Sequence, residues 1–178
     1  MRPWLAVSFA SIALAGNGVR QVSLFALARS KNANVVEYSA RLGPDGRLDP
    51  VDPIATHWIM NAEDGRRQDL DLFEQALAYG VSAHVNSARD RCDFTIVSLP
   101  QRRIQVRRHG HLYEADTEIG GASARLTRIF VTTDETAVPP RVLAIDLWGR
   151  RLSDGAPVHE RLERAPAPLT VRGAVSAP

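Results

Sequence analysis

The segment at residues 29–34 holds the densest group of polar side chains that could bind a ligand. It combines two cations, a hydroxyl group and two carboxamides, carried by Arg29, Ser30, Lys31, Asn32 and Asn34. Lys31 is the only lysine in the chain. Facing one pocket, these side chains could bind a carboxylate, a phosphate or a sugar through several hydrogen-bond donors. The alternative is a polar hairpin loop, in which asparagines tolerate turn dihedrals.

Two aromatic residues and an acid extend this candidate site. Tyr38, Trp58 and Glu63 lie on or beside the strands that the sequence predicts after the polar segment. Aromatic rings can line a ligand cavity, although large aromatics are first of all core residues. The ligand-binding hypothesis therefore joins Tyr38, Trp58 and Glu63 to the five polar residues, and it assigns no catalytic residue.

An enzymatic alternative stays open beside the binding hypothesis. A small hydrolase or transferase could use Lys31, His57 or Glu63 as an acid or base. The sequence contains no P-loop, no dinucleotide fingerprint and no nucleophile elbow. We therefore expect no cofactor.

A metal site is the weakest of the candidate chemistries. His109 and His111 could form a metal pair with help from Glu114 or Asp116, because residues two apart in a strand share a face. The glycine between them favours a hairpin tip that points the imidazoles apart. The single cysteine, Cys92, excludes thiolate zinc knuckles and an internal disulfide. No metal site is predicted.

The charge balance argues against a nucleic-acid partner. The chain has 22 basic and 20 acidic residues, a net charge of only +2, and such a small surplus creates no strong field. Alternation at residues 103–107 would place Arg103, Gln105 and Arg107 on one face, with Ile104 and Val106 inward. Without interleaved aromatic residues, this stripe indicates a solvated outer face rather than a polyanion site.

The N-terminus has the pattern of a secretory signal peptide. Arg2 precedes an uncharged apolar run of about a dozen residues, which ends in the small-x-small sequence Ala13-Leu14-Ala15. The run is too short to cross a bilayer as a helix. We therefore expect export to the periplasm or the medium, cleavage after Ala15 and no membrane span in the mature chain.

The body of the chain, residues 22–163, predicts a single all-β domain, mainly an antiparallel barrel or sandwich. Short segments of alternating polarity separated by turns support this prediction. They lie at residues 23–27, 34–42, 54–60, 94–99, 103–107, 112–119, 125–132 and 141–148.

The sequence also predicts a short helix between the strands and a disordered tail after them. Leu70, Phe73 and Leu77 fall at helical spacing and predict one short α-helix near residues 69–79. Gly80 follows where a left-handed C-terminal cap is favoured. Residues 164–178 have the Pro- and Ala-rich composition of a disordered tail.

A set of motifs runs from about Leu24 to Glu160. They are Phe25-x-x-x-Arg29-Ser30-Lys31-Asn32-x-Asn34-x-Val36-x-Tyr38, Pro53, Trp58-Ile59-Met60 with Glu63, Ala78-Tyr79-Gly80, Ile129-x-Val131, Ile145-Asp146-Leu147-x-Gly149 and Gly155-x-Pro157-Val158. Together they resemble the bacterial domain-of-unknown-function family 4833. The resemblance implies an exported bacterial protein and brings no activity or catalytic residue. The chain departs from the pattern at His57, where an aromatic residue is expected.

The leading functional hypothesis is a non-enzymatic binding or envelope-accessory module. Its partner would be an anionic or polar small ligand or an envelope component, and not a nucleic acid. A hydrolase or transferase and a purely structural envelope protein are the two alternatives.

Overall fold

The computed structural model describes residues 12–14, 20–110, 112–137 and 141–163, with backbone only for residues 12–14. Twelve strands in these ranges belong to one sheet. They are β1 (Ile12–Leu14), β2 (Arg20–Arg29), β3 (Val35–Leu42), β4 (Ile54–Ile59), β5 (Arg67–Asp69), β6 (Val81–Val85), β7 (Arg91–Ile96), β8 (Leu99–His109), β9 (Leu112–Ile119), β10 (Ala122–Asp134), β11 (Arg141–Arg151) and β12 (Pro157–Glu163).

The sheet follows the order β5-β4-β3-β2-β10-β9-β8-β7-β6, and β11 and β12 continue it from β10. All the pairings are antiparallel except that of β2 with β10, which join in parallel through Ala26–Arg29 and Arg128–Val131. The first part of β10 pairs with β9 and the later part with β2 along the same edge. The sheet therefore bends at β10.

The predicted all-β class is confirmed, and of the two predicted forms the structure has the sandwich. The ends of the main strand path, β5 and β6, do not pair with each other, so the sheet stays open and the fold is sandwich-like rather than a closed barrel. At one of these ends, β5 pairs with only the last three residues of β4, Trp58 and its two neighbours.

The core follows the period-two burial that alternating strands dictate. Phe25 stacks on Tyr38 at 4.7 Å between ring centroids and on Phe94 at 6.3 Å. In β8, Ile104 and Val106 are completely buried, as the alternation predicted. The inner side of the bent sheet therefore forms one apolar cluster.

The short helix predicted near residues 69–79 is confirmed, but its form and orientation differ from the prediction. One α-helical stretch, α1 (Leu72–Glu74), runs into a π-helical turn at Gln75–Tyr79. Leu70 and Tyr79 are buried, whereas Phe73 and Leu77 are 78% and 72% exposed. The apolar spacing therefore does not mark a core-facing side of this segment, since Phe73 is already exposed in α1, before the π turn begins.

Gly80 does not form the left-handed cap that we expected. Its backbone is extended, with φ −62° and ψ 165°. A Cβ atom there would collide with the carbonyl group of Gln75. Glycine is therefore required for a close backbone approach, not for a positive φ.

Cys92 is completely buried at the second position of β7, and burial raises the pKa of its thiol to about 11. A buried thiol of high pKa is an inert packing group at neutral pH. Among the residues with assigned structure, no helix is long and apolar enough to cross a membrane. The predicted tail, residues 164–178, and most of the predicted signal peptide lie outside the described residues.

Candidate functional site

The end of β2 places Arg29 against two aromatic rings. Its guanidinium carbon lies 5.2 Å from the ring centroid of Trp58 and 5.7 Å from that of Tyr79, within the range of cation–π interactions. The side chain is partly buried, and its Nε is buried without a hydrogen-bond partner. Within the described ranges, Arg29 forms no ion pair. This is the one polar residue of the predicted site that has unused donors next to an aromatic wall.

The aromatic wall is itself held in place. Trp58 meets Tyr79 edge to face at 5.3 Å, and its Nε1 donates to both carboxylate oxygens of Glu74 at 3.1 Å. Glu74 closes a capping box with Asp71 at the start of α1. The helix therefore orients the indole, and the indole supports Arg29.

Tyr38 contributes from beneath the site rather than at its surface. It is completely buried, and its hydroxyl donates to the backbone carbonyl of Tyr79 at 2.9 Å. Burial raises the pKa of both phenols, and the nearby Arg29 only partly offsets this for Tyr79. Both rings are therefore neutral, and Tyr38 fixes the position of the Tyr79 backbone.

The polar loop after Arg29 does not converge on it as a whole. Ser30 binds Thr133 side chain to side chain at 3.1 Å, and Lys31 Nζ lies 3.9 Å from Glu135 Oε2. The Asn32 side chain accepts a hydrogen bond from the backbone of Asn34, as in an ordinary Asx turn. Ser30, Lys31 and Asn32 thus contact the end of β10 or their own loop.

Asn34 and Glu63 join two neighbouring loops. The buried Asn34 accepts a hydrogen bond from the backbone N–H of Ala62 at 2.8 Å. Glu63 pairs with Arg66 at 3.1 Å within its own exposed turn. Of the eight predicted site residues, the structure therefore brings together Arg29, Trp58 and Tyr38. Asn34 supports the loop, and Lys31 and Glu63 point elsewhere.

A second polar cluster lies on the opposite face of the same strands. His57 Nε2 lies 2.7 Å from Glu37 Oε2, and Arg67 approaches the same oxygen at 2.6 Å. Glu37 and His57 are both buried. Burial alone would raise the pKa of Glu37, but hydrogen bonds from His57, Ser23 and Arg67 lower it to about 2.

A cavity of about 220 Å³ adjoins this cluster, and its lining includes His57, Arg67 and Asp69. The arrangement holds His57 by one imidazole nitrogen against an ionised acid. A structural ion network and a proton-transfer pair both have this geometry.

Of the two histidines considered for a metal site, His109 is among the described residues and His111 lies outside them. His109 Nε2 is 3.7 Å from Asp116 Oδ2, while Arg125 pairs with Glu114. Within the described part of the chain, no group of three or more histidine, cysteine or acidic side chains could hold a metal ion.

Sequence reasoning missed Tyr79, Glu74, Glu37 and Arg67 as site residues. Tyr79 stands in the Ala78-Tyr79-Gly80 motif, which was a usable signal. Glu74 lies in the predicted helix, where its sequence position does not indicate a contact with Trp58. Glu37 meets His57 through the register of β3 and β4, which no local pattern reveals.

Comparison with known proteins gives one match. The model of the family described as a domain of unknown function, DUF4833, matches residues 25–161. Searches of curated proteins and of solved structures gave no match. The matched region contains Arg29, Trp58 and Tyr79 and extends from β2 into β12. The chain therefore belongs to the DUF4833 family of domains of unknown function.

Proposed function

We propose that this domain is a non-enzymatic binding module that takes a small ligand through a carboxylate or phosphate group at Arg29. The observation that carries the proposal is a partly buried guanidinium stacked on Trp58 and Tyr79, with its Nε unpartnered. A buried donor without a partner is unfavourable, and it shows that the Arg29 side chain has hydrogen-bonding capacity that the protein does not use.

The chemistry of the side chain favours an oxyanion. A guanidinium presents a planar fork of donors that matches carboxylate and phosphate oxygens, and it is more weakly hydrated than an ammonium group. The aromatic floor keeps the fork in one orientation. Lys31 follows two residues later and is largely exposed; among the described residues it pairs with Glu135, at 3.9 Å. Such a surface pair is weak, so Lys31 remains accessible to a ligand.

The contacts give less support to an enzymatic role that uses Lys31, His57 or Glu63. Lys31 and Glu63 pair with exposed partners, and neither reaches the other or His57. His57 is occupied by Glu37 on the opposite face of the sheet.

Substitution of Arg29 tests the proposal. We expect inorganic phosphate or acetate to bind the wild-type protein and raise its melting temperature, and neutral glucose to have no effect. Arg29→Ala should weaken anion binding about tenfold or more, because a charged hydrogen bond contributes about 1.5–3 kcal/mol. Arg29→Lys should rescue it only partly, since lysine lacks the planar fork. Titration calorimetry and thermal shift give both readouts.

Arg128 provides the matched control for this experiment. Its guanidinium also lies over two rings, at 5.4 Å from Phe130 and 5.7 Å from Trp148, but the side chain is exposed. Arg128→Ala should leave anion binding unchanged. Equal losses in the two variants would mean that anions collect on any stacked arginine, and an unchanged Arg29→Ala protein would refute the site.

We propose in addition that the protein is exported, on the evidence of its N-terminal pattern and its family resemblance. Cleavage after Ala15 would also remove β1, which pairs with Arg20–Val22 at the edge of the sheet. We expect mass spectrometry of the periplasmic or secreted protein to find Gly16 as the first residue. A cytosolic protein that retains residues 1–15 would contradict the proposal.

A further inference from the structure

A groove runs between the two ends of the open sheet, and we propose that it binds an extended peptide segment of a partner protein as an added β-strand. The groove has a volume of about 740 Å³, which is within the range of ligand sites. Residues from both ends of the strand path line it, among them Ile54 and Thr56 of β4 and Val81 of β6. This site is separate from Arg29 and does not depend on the proposed anion binding.

One bank of the groove is an unpaired length of β4. The backbone N–H of Arg41 donates to Pro53 O, and antiparallel pairs alternate between bonded and non-bonded. Ala55 and His57 therefore direct their backbone groups to β3, whereas Ile54 and Thr56 direct theirs away from it.

The neighbouring strand leaves before it can cover these groups. β5 ends at Asp69, opposite His57, and the side chain of Gln75 donates to the carbonyl of Leu70 at 2.9 Å. In the described residues, the strand pairings place no strand against the N–H of Thr56 or the backbone groups of Ile54 on this side of β4. These backbone groups point away from β3, as at a free sheet edge that can pair with another strand.

The opposite bank is the free edge of β6. Val97 N–H donates to Gly80 O, and Asn86 N–H donates to Arg91 O. By the same alternation, Val81 turns its N–H and C=O away from β7 and towards the groove. Both banks of the groove therefore offer outward backbone groups to an extended chain.

The lining of the groove specifies the chemistry of the occupant. Apolar side chains in its walls include Leu72, which is 82% exposed, and Val97, which is 41% exposed, and the charged residues Arg41, Asp52 and Asp69 lie beside them. Exposed apolar groups of this kind mark interaction sites when they are clustered. In strand addition, the backbone bonds provide affinity, and pockets for alternate side chains provide specificity. The occupant is therefore an extended segment with apolar residues at alternate positions.

The recessed position of this edge favours a single strand over a second copy of the domain. The segment from Leu70 to Val81, which contains α1 and the π turn, forms the wall beside Ile54 and Thr56. A single extended peptide needs less room beside that wall than the whole sheet edge of another copy.

Selection from a phage-displayed library of random twelve-residue peptides tests the inference, with Thr56→Pro protein as the counter-target. Among the backbone hydrogen-bonding groups, proline removes only the outward N–H of Thr56, and it is tolerated at edges where that group faces away from the sheet. We expect enriched peptides with alternating apolar residues, which bind the wild-type protein about ten times more tightly than the Thr56→Pro variant.

Ala83→Pro is the matched control, because Ala83 has an equivalent outward N–H on β6 but does not line the groove. It should bind the selected peptides normally, as should Arg29→Ala, so that failure of the anion site and failure of the groove can be told apart. Enrichment of no peptide, or equal binding to the wild-type and Thr56→Pro proteins, would overturn the inference.

Hydrogen exchange provides a readout that does not depend on the folding of a variant. In the free wild-type protein, the Thr56 amide should exchange faster than the Ala55 amide, and a selected peptide should slow it. Equal protection of the two amides before peptide is added would show that the edge is already covered, and would also overturn the inference.

Discussion

Glu37→Gln lowers the free energy of unfolding by about 3 kcal/mol at pH 7, and the loss shrinks as the pH falls towards 2. Glu37 accepts hydrogen bonds from His57 at 2.7 Å and from Arg67 at 2.6 Å, in a position where all but 9% of its surface is buried. Glutamine has nearly the same shape but no charge. Removal of one partner from a buried ion pair leaves the other without compensation, which is why the effect is large.

The pH dependence follows from the pKa of Glu37. The folded protein lowers this pKa from 4.5 to about 2. The ionised form is therefore favoured by folding, and its contribution is complete above the unfolded value near 4.5. It is lost progressively as the pH falls from there to about 2. A difference of about 2.5 pKa units corresponds to an upper limit of roughly 3 kcal/mol.

Urea unfolding followed by tryptophan fluorescence at pH 7 and at pH 2.5 measures both quantities. Other carboxylates also titrate in this range, so the difference between wild type and variant is the informative number. Glu118→Gln is the matched control, because Glu118 is exposed on β9. It should change stability by less than about 0.5 kcal/mol. An equal loss at both pH values would show that the shape of Glu37 matters and its charge does not.

Gly149→Ala destabilises the fold by about 2–3 kcal/mol. Gly149 is buried in β11 opposite Leu126, beside the irregular step between Leu126 and Arg128 of β10. A Cβ atom there would lie 2.7 Å from Ile119 Cδ1 and still closer to the carbonyl oxygen of Arg125. A backbone oxygen inside a sheet cannot move without disturbing the ladder. The expected cost is that of an overpacked core.

Gly43→Ala is the control for this substitution. Neither Gly149 nor Gly43 needs a positive φ, and the nearest neighbours of a Cβ at Gly43 are the ends of the Asp45 and Arg89 side chains, at 3.1 and 3.3 Å. These ends can move, so the loss should stay below about 1 kcal/mol. Thermal and urea unfolding compare the two variants. If Gly149→Ala is no less stable than Gly43→Ala, the close approach at β11 is wrong.

The two candidate sites differ in how far local patterns could have revealed them. Arg29, Tyr38 and Trp58 were predicted because their types are unusual together, but their meeting point at Tyr79 depends on the π turn after α1. The groove depends on where β5 departs from β4. The three residues of β5, Arg67–Asp69, are all exposed. Because β5 is short and wholly polar, it shows no alternation of polarity from which the strand could be predicted.

Alternating polarity determined the all-β class, most of the strands and the inward side of segments such as β8, because a strand exposes one face and buries the other wherever it lies in the sheet. The sequence motifs also indicated the family. Only the tertiary structure decided which strands are neighbours: the parallel pairing of β2 with β10 joins segments about a hundred residues apart, and the register of β3 on β4 brings Glu37 to His57. Register and strand order arise from long-range hydrogen bonds and packing, which leave no signal in a short stretch of sequence.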